Sequence, residues 1–320
     1  MEEEKKLYPF RMIPIAGSEG ENVQIADMGY LDSRIRNGWL AANSLSEVMD
    51  MYMDRVVGEQ LFAAYGRQFP LLVRTLDTET AALPLMVCPD DSTATERYDF
   101  LGKTKMWYVL SVSDDARMDL GFRDDVESAE FYAACRHGEV EPLLHSFRPK
   151  AGESFLVRPG TVHSARGVKL LEVAQSSPLD FKIFGWGKAM GGDEFDESLN
   201  LEAAFDFIDY RKYEAVQAQA PAGEGRVRLA SCNLFTVTLL DLKSPLDIKP
   251  GAQNGFSAYT CIKGSAMVRP PKGENEIEAA ALKEGESVIV PAEVGEFFLV
   301  PASGDTVLVE SIVQNVTGLN

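Results

Sequence analysis

The sequence predicts a mainly β protein made of two small β-barrels of one type. Three observations support this prediction. Short apolar segments rich in Val, Leu, Phe and Tyr recur between Gly, Pro and Asp, which is typical of strands. One stretch of the chain recurs with the same pattern of residues. A polar segment with Pro and Gly lies between the two copies and could join two domains.

Predicted strands occur along most of the chain. The clearest are residues 69–77, 105–112, 153–160, 235–242, 265–271 and 305–311. Three segments predict helices instead, namely residues 43–66, 127–147 and 197–210.

Each predicted helix has its own signal. In the first, Ser44 followed by Glu47 has the spacing of a capping box. The second is expected to break near Gly138. In the third, one helical face carries Leu201, Ala204, Phe205 and Ile208.

The repeated stretch is KAGESFLVRPGTVHS from Lys150 and KEGESVIVPAEVGEF from Lys283. Both copies read K-x-G-E-S, an apolar strand and then Pro, with one residue fewer before Pro291 in the second copy. In this alignment His163 matches Gly295. Duplication of a barrel explains the pattern. The alternative is that Gly-Glu, an apolar strand and Pro recur in any β protein.

The segment QAQAPAGEGR predicts a linker at residues 217–226. The predicted domains are therefore an N-terminal barrel with helical insertions at residues 1–216 and a C-terminal barrel at residues 227–320.

Composition excludes several classes of protein. The chain has 320 residues, of which 45% are hydrophobic, enough for one large core or two ordinary ones. A net charge of −18 opposes binding to nucleic acid or anionic membranes. No apolar run approaches the ~18 residues of a membrane span. The charged start has no secretory signal, and four scattered cysteines predict reduced thiols in a cytoplasmic protein.

Several motifs, in the same order and at similar spacing, resemble the class I mannose-6-phosphate isomerases of the short bacterial type. They are FPLLVRTLD, LPLMVCPDD, LGKTKMWYVL, LGFRDDV, KAGESFLVRPGTVHSARG and LLEVAQSSPLDFKIFGW. The resemblance is strong over residues 20–210 and only a matter of pattern over 225–320. It implies two cupin (jelly-roll) barrels with helical insertions, one zinc ion, and interconversion of mannose 6-phosphate and fructose 6-phosphate in carbohydrate metabolism.

The resemblance also implies four metal-ligand positions, which here are Met86, Cys88, Lys105 and His163. Only His163 keeps a family ligand. Met86 and Cys88 are two residues apart on a predicted strand, so they share a face. Lys105 puts an ammonium where the family has a carboxylate. A unit charge ~4 Å from a divalent ion costs roughly 8 kcal/mol at an effective dielectric of about 20.

These substitutions predict a degenerate zinc site, with zinc weak or absent and no metal ligands in the C-terminal barrel. Two alternatives concern Cys88, which is either a thiolate stabilised by Lys105 or a buried neutral thiol. A Met–Cys–His copper site is a further alternative, although Lys105 opposes it too.

The remaining pocket residues follow from the same resemblance. Lys103 corresponds to the family's lysine, and Lys182 stands at the family's active-site arginine. Both are candidate catalytic residues, and with Lys105 and Arg166 they could line a basic, substrate-binding pocket. The alternative is that each is a solvated surface residue. His137 and His145 are expected on the surface of the second predicted helix.

Three functions stay open at this point. The first is a mannose-6-phosphate isomerase-like cupin protein without zinc-dependent activity that binds a phosphosugar or another small anion. The second is an active isomerase with a repositioned metal or with Lys105 as the electrophile. The third is a structural or interaction protein with a closed pocket. The sequence does not give the oligomeric state.

Overall fold

The computed structural model describes residues 5–17, 20–186, 199–215, 219–223, 225–250, 255–271 and 277–314. These residues are mainly β, as predicted. The strands are β1 (Phe10–Ile13), β2 (Ile15–Ala16), β3 (Glu21–Ile25), β4 (Arg34–Ile35), β5 (Leu71–Asp77), β6 (Leu85–Val87), β7 (Lys105–Phe122), β8 (Leu144–Phe147), β9 (Ser154–Val157), β10 (His163–Gln175), β11 (Phe181–Phe184), β12 (Ala220–Gly223), β13 (Arg226–Ser231), β14 (Phe235–Leu242), β15 (Leu246–Ile248), β16 (Ser257–Lys263), β17 (Ser265–Arg269), β18 (Ala280–Lys283), β19 (Ser287–Val290), β20 (Phe297–Pro301) and β21 (Thr306–Val313).

Helices form a smaller part of the described residues. They are α1 (Leu45–Tyr52), α2 (Asp54–Val57), α3 (Glu59–Tyr65), α4 (Asp91–Tyr98), α5 (Ser128–His137) and α6 (Leu201–Ala204), with 3₁₀ turns at Glu141–Leu143 and Ala292–Val294. None of these helices is long and apolar enough to cross a membrane.

The chain divides into two compact units. The split unit comprises Met1–Ala16, Asn22–Arg74 and Ala218–Asn320, and the central unit comprises Gly17–Glu21 and Thr75–Gln217. In the split unit, the described residues form a sheet of order β12-β13-β14-β21-β16-β19-β1-β4 and a second sheet of order β15-β20-β17-β18. Apolar side chains of both sheets, among them Tyr259, Leu308, Val268 and Leu299, make one core. This is the face-to-face packing of a β-sandwich.

The contacts divide the chain differently from the predicted boundaries at residues 216 and 227. Strand β1 pairs antiparallel with β19, with Phe10 opposite Ile289, so the start of the chain completes the sheet of the split unit. Within the predicted linker, residues 220–223 form β12 and pair with β13, while residues 217, 218 and 224 lie outside the described part. Alternating hydrophobicity predicts a strand but not its partner.

In the central unit, two long strands carry most of the pairing. Strand β7 pairs with β10 along most of its length, and also with β8 and β9. Strand β10 pairs in turn with β6, and β6 pairs with β11. These pairings bring β6, β7, β10 and β11 into one sheet.

The predicted helices differ in extent from the observed ones. The capping box is confirmed: Ser44 Oγ accepts from the Glu47 N–H, and the Glu47 carboxylate accepts from the Ser44 N–H. The first predicted helix is divided into α1, α2 and α3 at Met53 and Gly58. The second ends at Gly138, which has φ +78°, as expected. His145 then lies on strand β8, so its predicted helical position is wrong. The chain cannot continue a helix through the left-handed Gly138.

The third predicted helix is reduced to α6. The predicted apolar face is nevertheless partly retained, because Leu201, Ala204 and Ile208 are buried. Residues 197 and 198 of that prediction lie outside the described part.

The repeated sequence stretch folds the same way twice. The Glu153 carboxylate accepts from the Lys150 N–H at 2.9 Å, and the Glu286 carboxylate accepts from the Lys283 N–H at 3.1 Å. Gly152 and Gly285 both have positive φ, +88° and +80°. Each turn then enters a strand, β9 or β19. Equal local hydrogen bonding at both copies supports the duplication.

Candidate functional site

Three strands of the central unit bring the predicted metal positions together. His163 begins β10 and lies opposite Met86 of β6. At the other end of the same strand, Ala174 lies opposite Lys105, the first residue of β7. Directly opposed residues share a face of the sheet. His163 and Ala174 lie eleven residues apart on β10, so this sheet must curve strongly for the Lys105 side chain to reach His163.

The centre of the site is an ion cluster that consists of Lys103, Lys105, His163, Glu172 and Asp180. The Lys105 Nζ lies 3.0 Å from His163 Nε2 and also donates to Asp180 Oδ1. The Lys103 Nζ donates to Asp180 Oδ2 at 2.7 Å. Both lysine side chains are almost fully buried, at 1% and 0% exposed, whereas that of Asp180 is 18% exposed. Asp180 thus contacts both buried ammonium groups.

Asp180 is not among the site residues that the sequence predicts. A signal for it exists: two lysines that alternate on an apolar strand can be buried only beside a carboxylate, because an unpaired buried charge is very costly. The sequence does not say which of 49 acidic residues supplies that carboxylate. Asp180 directly precedes β11, whose pairing with β6 brings it to the cluster.

Glu172 is a second buried carboxylate near Lys105. Its Oε2 accepts a hydrogen bond of 2.7 Å from Trp107 Nε1 and lies 3.9 Å from the Lys105 Nζ. The Trp107 ring also packs edge-on against the His163 ring, with centroids 5.3 Å apart. Trp107 therefore positions both the carboxylate and the imidazole that flank Lys105.

His163 is a neutral imidazole in this environment. Burial, and then the nearby Lys105 ammonium, lower the pKa of His163 to about 3. Its Nδ1 lies 2.9 Å from the carbonyl oxygen of Thr161, which can only accept. The hydrogen-bond pattern therefore assigns the proton to Nδ1, and Nε2 accepts from Lys105.

Cys88 is a neutral thiol. Burial raises the pKa of Cys88 to about 12, although the Lys105 ammonium acts in the opposite direction. The thiol donates a hydrogen bond of 3.2 Å to Asp180 Oδ1. Of the two alternatives for Cys88, these observations support the neutral thiol.

The residues at this site do not fit a zinc ion. Cys88, His163 and Asp180 offer ligand atoms within 4.8 Å of one another. The Lys105 Nζ, however, already takes the lone pair of His163 Nε2 and one oxygen of Asp180. Zinc requires these donors deprotonated and facing the ion, and it binds the thioether of Met86 weakly. The ammonium therefore occupies the donor set that a metal would need.

The other predicted pocket residues lie at different places. Lys182 is exposed on β11, but its register opposite Met86 places it on the face that carries His163. Arg166 is three residues from His163, so strand alternation directs it to the other face. It lines a separate cavity of about 130 Å³ with Arg117 and Trp186. The structure thus brings Lys103, Lys105, Cys88 and His163 together with Met86 beside them, and does not bring Arg166 there.

Two acidic residues near this site have structural partners. Asp90 is the N-cap of α4, with its side chain accepting from the Thr93 N–H at 2.8 Å. Asp91 accepts from the Gly102 N–H and from Gln175 Nε2, each at 2.9 Å. Both carboxylates therefore have structural partners at the start of α4.

Comparison with known proteins identifies the family. No protein-family model matches the chain. The mannose-6-phosphate isomerase of Streptococcus mutans is 34% identical over 228 residues, which cover 70% of this chain and 68% of that protein. The chain belongs to the mannose-6-phosphate isomerase family.

Two further relatives of this family agree in sequence and in fold. Mannose-6-phosphate isomerase ManA of Bacillus subtilis is 26% identical over 273 residues, 83% of this chain and 82% of that protein. The crystal structure of the mannose 6-phosphate isomerase from Bacillus subtilis superposes with a TM-score of 0.80 at 21% identity, and covers 95% of this chain and 99% of that chain. The predicted mainly β cupin fold of the mannose-6-phosphate isomerase family is confirmed.

Proposed function

We propose that this chain is a mannose-6-phosphate isomerase-like protein that binds a phosphosugar or another small anion and lacks the zinc-dependent isomerisation. The observation that carries the proposal is the position of the Lys105 ammonium, 3.0 Å from His163 Nε2 and hydrogen-bonded to Asp180. The ammonium of Lys105 thus stands in the place of the zinc ion that the family resemblance implies. The four free cysteines fit a reducing, cytosolic setting.

Aldose–ketose isomerisation needs a group that polarises the carbonyl, a base that moves a proton between two carbons, and cations that hold the phosphate. Lys105 is poorly placed to polarise a substrate. An ammonium has three N–H donors, and His163 and Asp180 take two of them. Glu172 lies 3.9 Å from the same nitrogen. The geometry therefore weighs against an active isomerase with Lys105 as the electrophile.

A repositioned metal is disfavoured by the same contacts. Binding through Cys88, His163 and Asp180 would require Lys105 to leave both of its partners. It would also require the Cys88 thiol to lose its proton, although burial raises the pKa of Cys88 to about 12. Each of these changes opposes metal binding at neutral pH.

The anion is proposed to bind where the sheet face that carries His163 is open to solvent, outside the buried ion cluster. Asp180 compensates much of the charge of Lys103 and Lys105. Lys182 is exposed and lies in register with Met86. It therefore offers a cation that a phosphate group can reach without entering the buried cluster.

The test combines metal analysis, turnover and binding on one preparation. We expect no stoichiometric zinc after purification without chelator, and no conversion of mannose 6-phosphate to fructose 6-phosphate with or without added Zn²⁺. Calorimetric titration should still show binding of mannose 6-phosphate, weakened about tenfold in Lys182→Ala through loss of one charge-assisted contact.

Two variants control this test. Lys169→Ala removes an exposed lysine of β10 and should leave binding unchanged. Lys105→Glu restores the family's carboxylate, and we expect it to increase zinc binding. Stoichiometric zinc together with turnover in the natural chain would refute the proposal. Absence of any mannose 6-phosphate binding would refute its anion-binding part.

A further inference from the structure

The split unit contains a cavity of its own, of about 370 Å³. This volume lies within the roughly 300–1,000 Å³ typical of small-molecule sites. Polar and apolar side chains both line it, among them Arg226, Lys249, Ser257, Tyr259, Glu310 and Ile312. All of them belong to this unit.

A buried carboxylate forms part of the cavity wall. The Tyr259 hydroxyl donates to Glu310 Oε1 at 2.8 Å. Tyr259 is 0% exposed and Glu310 is 8% exposed. Burial raises the pKa of Glu310, while the Tyr259 hydrogen bond and the Arg226 charge act against the shift. Burying a carboxylate is costly unless it is paired or hydrogen-bonded. Tyr259 and Arg226 meet this need, and the carboxylate they hold also lines the cavity.

The strand register shows that residues of this cavity are equivalent to residues of the ion cluster in the central unit. Ser154 and Ser287 are equivalent serines of the repeated stretch. Ser154 lies opposite Tyr108, and Ser287 lies opposite Thr260. One residue earlier, Trp107 lies opposite Glu172, and Tyr259 lies opposite Glu310. Both glutamates accept a hydrogen bond from the aromatic residue opposite them. The duplicated barrel has therefore kept a buried carboxylate at the equivalent position.

One difference decides the character of the second cavity. By the same register, Ser257 stands where the central unit has Lys105. The buried ammonium is thus replaced by a small hydroxyl, which leaves room beside the carboxylate. The charged lining groups are Arg226, Glu310 and the ion pair of Lys249 and Asp247, at 3.1 Å, and their formal charges cancel.

We propose that this cavity is a second small-molecule site, for a neutral polyhydroxylated ligand such as a free sugar or a polyol. Glu310 accepts from ligand hydroxyls, Arg226 donates to them, and Tyr259 holds the carboxylate in place. Ile312 and Phe256 offer apolar contacts to the C–H faces of such a ligand. Zero net charge and a buried carboxylate select against phosphorylated sugars. This site does not depend on the function proposed for the ion cluster.

The test uses D-mannose as probe, in calorimetric titrations of the full chain in buffer free of glycerol and other polyols. We expect saturable binding that Glu310→Gln weakens at least about tenfold, because the carboxylate acceptor loses its charge. Arg226→Gln, at a half-buried position, should weaken it in the same direction. Circular dichroism of each variant verifies folding, so the Arg226 variant decides if the Glu310 variant does not fold.

Lys182→Ala is the matched control, since it should change mannose 6-phosphate binding and leave D-mannose binding unchanged. Failure of the natural chain to bind D-mannose would overturn the proposal. So would D-mannose binding that is unaffected by both Glu310→Gln and Arg226→Gln. Neither result bears on the anion binding assigned to Lys182, so the two proposals fail separately.

Discussion

Lys105 lies among His163, Asp180 and Glu172 with its side chain fully buried. A buried ammonium is tolerated only when the groups around it satisfy its donors and balance its charge. Here the balance comes from Asp180 and Glu172, and His163 stays neutral because its pKa is lowered to about 3. The cluster is thus internally satisfied. Such a cluster holds its side chains in place and leaves few ligand atoms for an incoming metal ion.

Cys88 should be unreactive despite two neighbouring lysines. With the pKa of Cys88 raised to about 12, about one thiol in ten thousand is ionised at pH 8. We expect iodoacetamide to modify half-buried Cys232 in the native protein well before Cys88. Peptide mapping by mass spectrometry from pH 7 to pH 9 measures both rates. Unfolded protein, in which all four thiols should react, is the control. Modification of native Cys88 at the rate of Cys232 would mean that the lysines outweigh burial.

At the scale of single elements, local sequence signals were reliable where the interaction is local. The capping box at Ser44 and Glu47 involves residues three apart and formed as predicted. The turns at Lys150 and Lys283 repeat the same hydrogen bonds because they repeat the same residues. The extents of the helices were predicted less well, apart from the end of α5 at Gly138. Helix α6 is four residues long although its sequence pattern continues further.

Removing the cap of α1 should measurably destabilise the protein. Ser44→Ala leaves the Glu47 N–H without its side-chain acceptor, and N-cap losses of this kind cost about 1 kcal/mol. The expected result is a lower urea midpoint with circular dichroism of the folded state unchanged. Ser44→Thr keeps the hydroxyl acceptor and should stay within a few tenths of a kcal/mol of the natural chain. Equal midpoints for Ala and the natural residue would show that the cap contributes nothing.

On the scale of the whole molecule, the two compact units are not two consecutive segments of the chain. The split unit combines the start of the chain with its C-terminal part. Strand β1 pairs with β19, and Phe10 is fully buried. A domain cut at residue 227 would therefore lack a strand from the interior of its sheet, since β1 lies between β19 and β4.

A fragment of residues 227–320 should consequently fail to fold by itself. Loss of β1 exposes the edge of β19, whose Val288 and Ile289 are buried in the full chain. An unpaired apolar edge promotes aggregation. We expect poor chemical-shift dispersion in its NMR spectrum. A single chain that joins residues 1–74 to 218–320 through a flexible linker restores β1 and should give a dispersed spectrum. A well-folded 227–320 fragment would contradict the importance of β1.

The sequence by itself determined the mainly β class, the repeated turn-and-strand stretch, the helix cap and the family. It also predicted that the ligand positions implied by the resemblance carry Met86, Cys88 and Lys105, since residue identity and spacing along a strand are local properties. From these identities alone, loss of the family's ligand set could be predicted.

Only the tertiary structure decided which groups surround those residues. Asp180 reaches Lys103 and Lys105 from a distant part of the chain, and Arg166 is turned to the other face of its sheet. The pairing of Tyr259 with Glu310, and of β1 with β19, likewise joins distant segments. Alternation along a strand specifies two faces but neither the neighbour nor the register, which are set when apolar faces from distant segments are buried together.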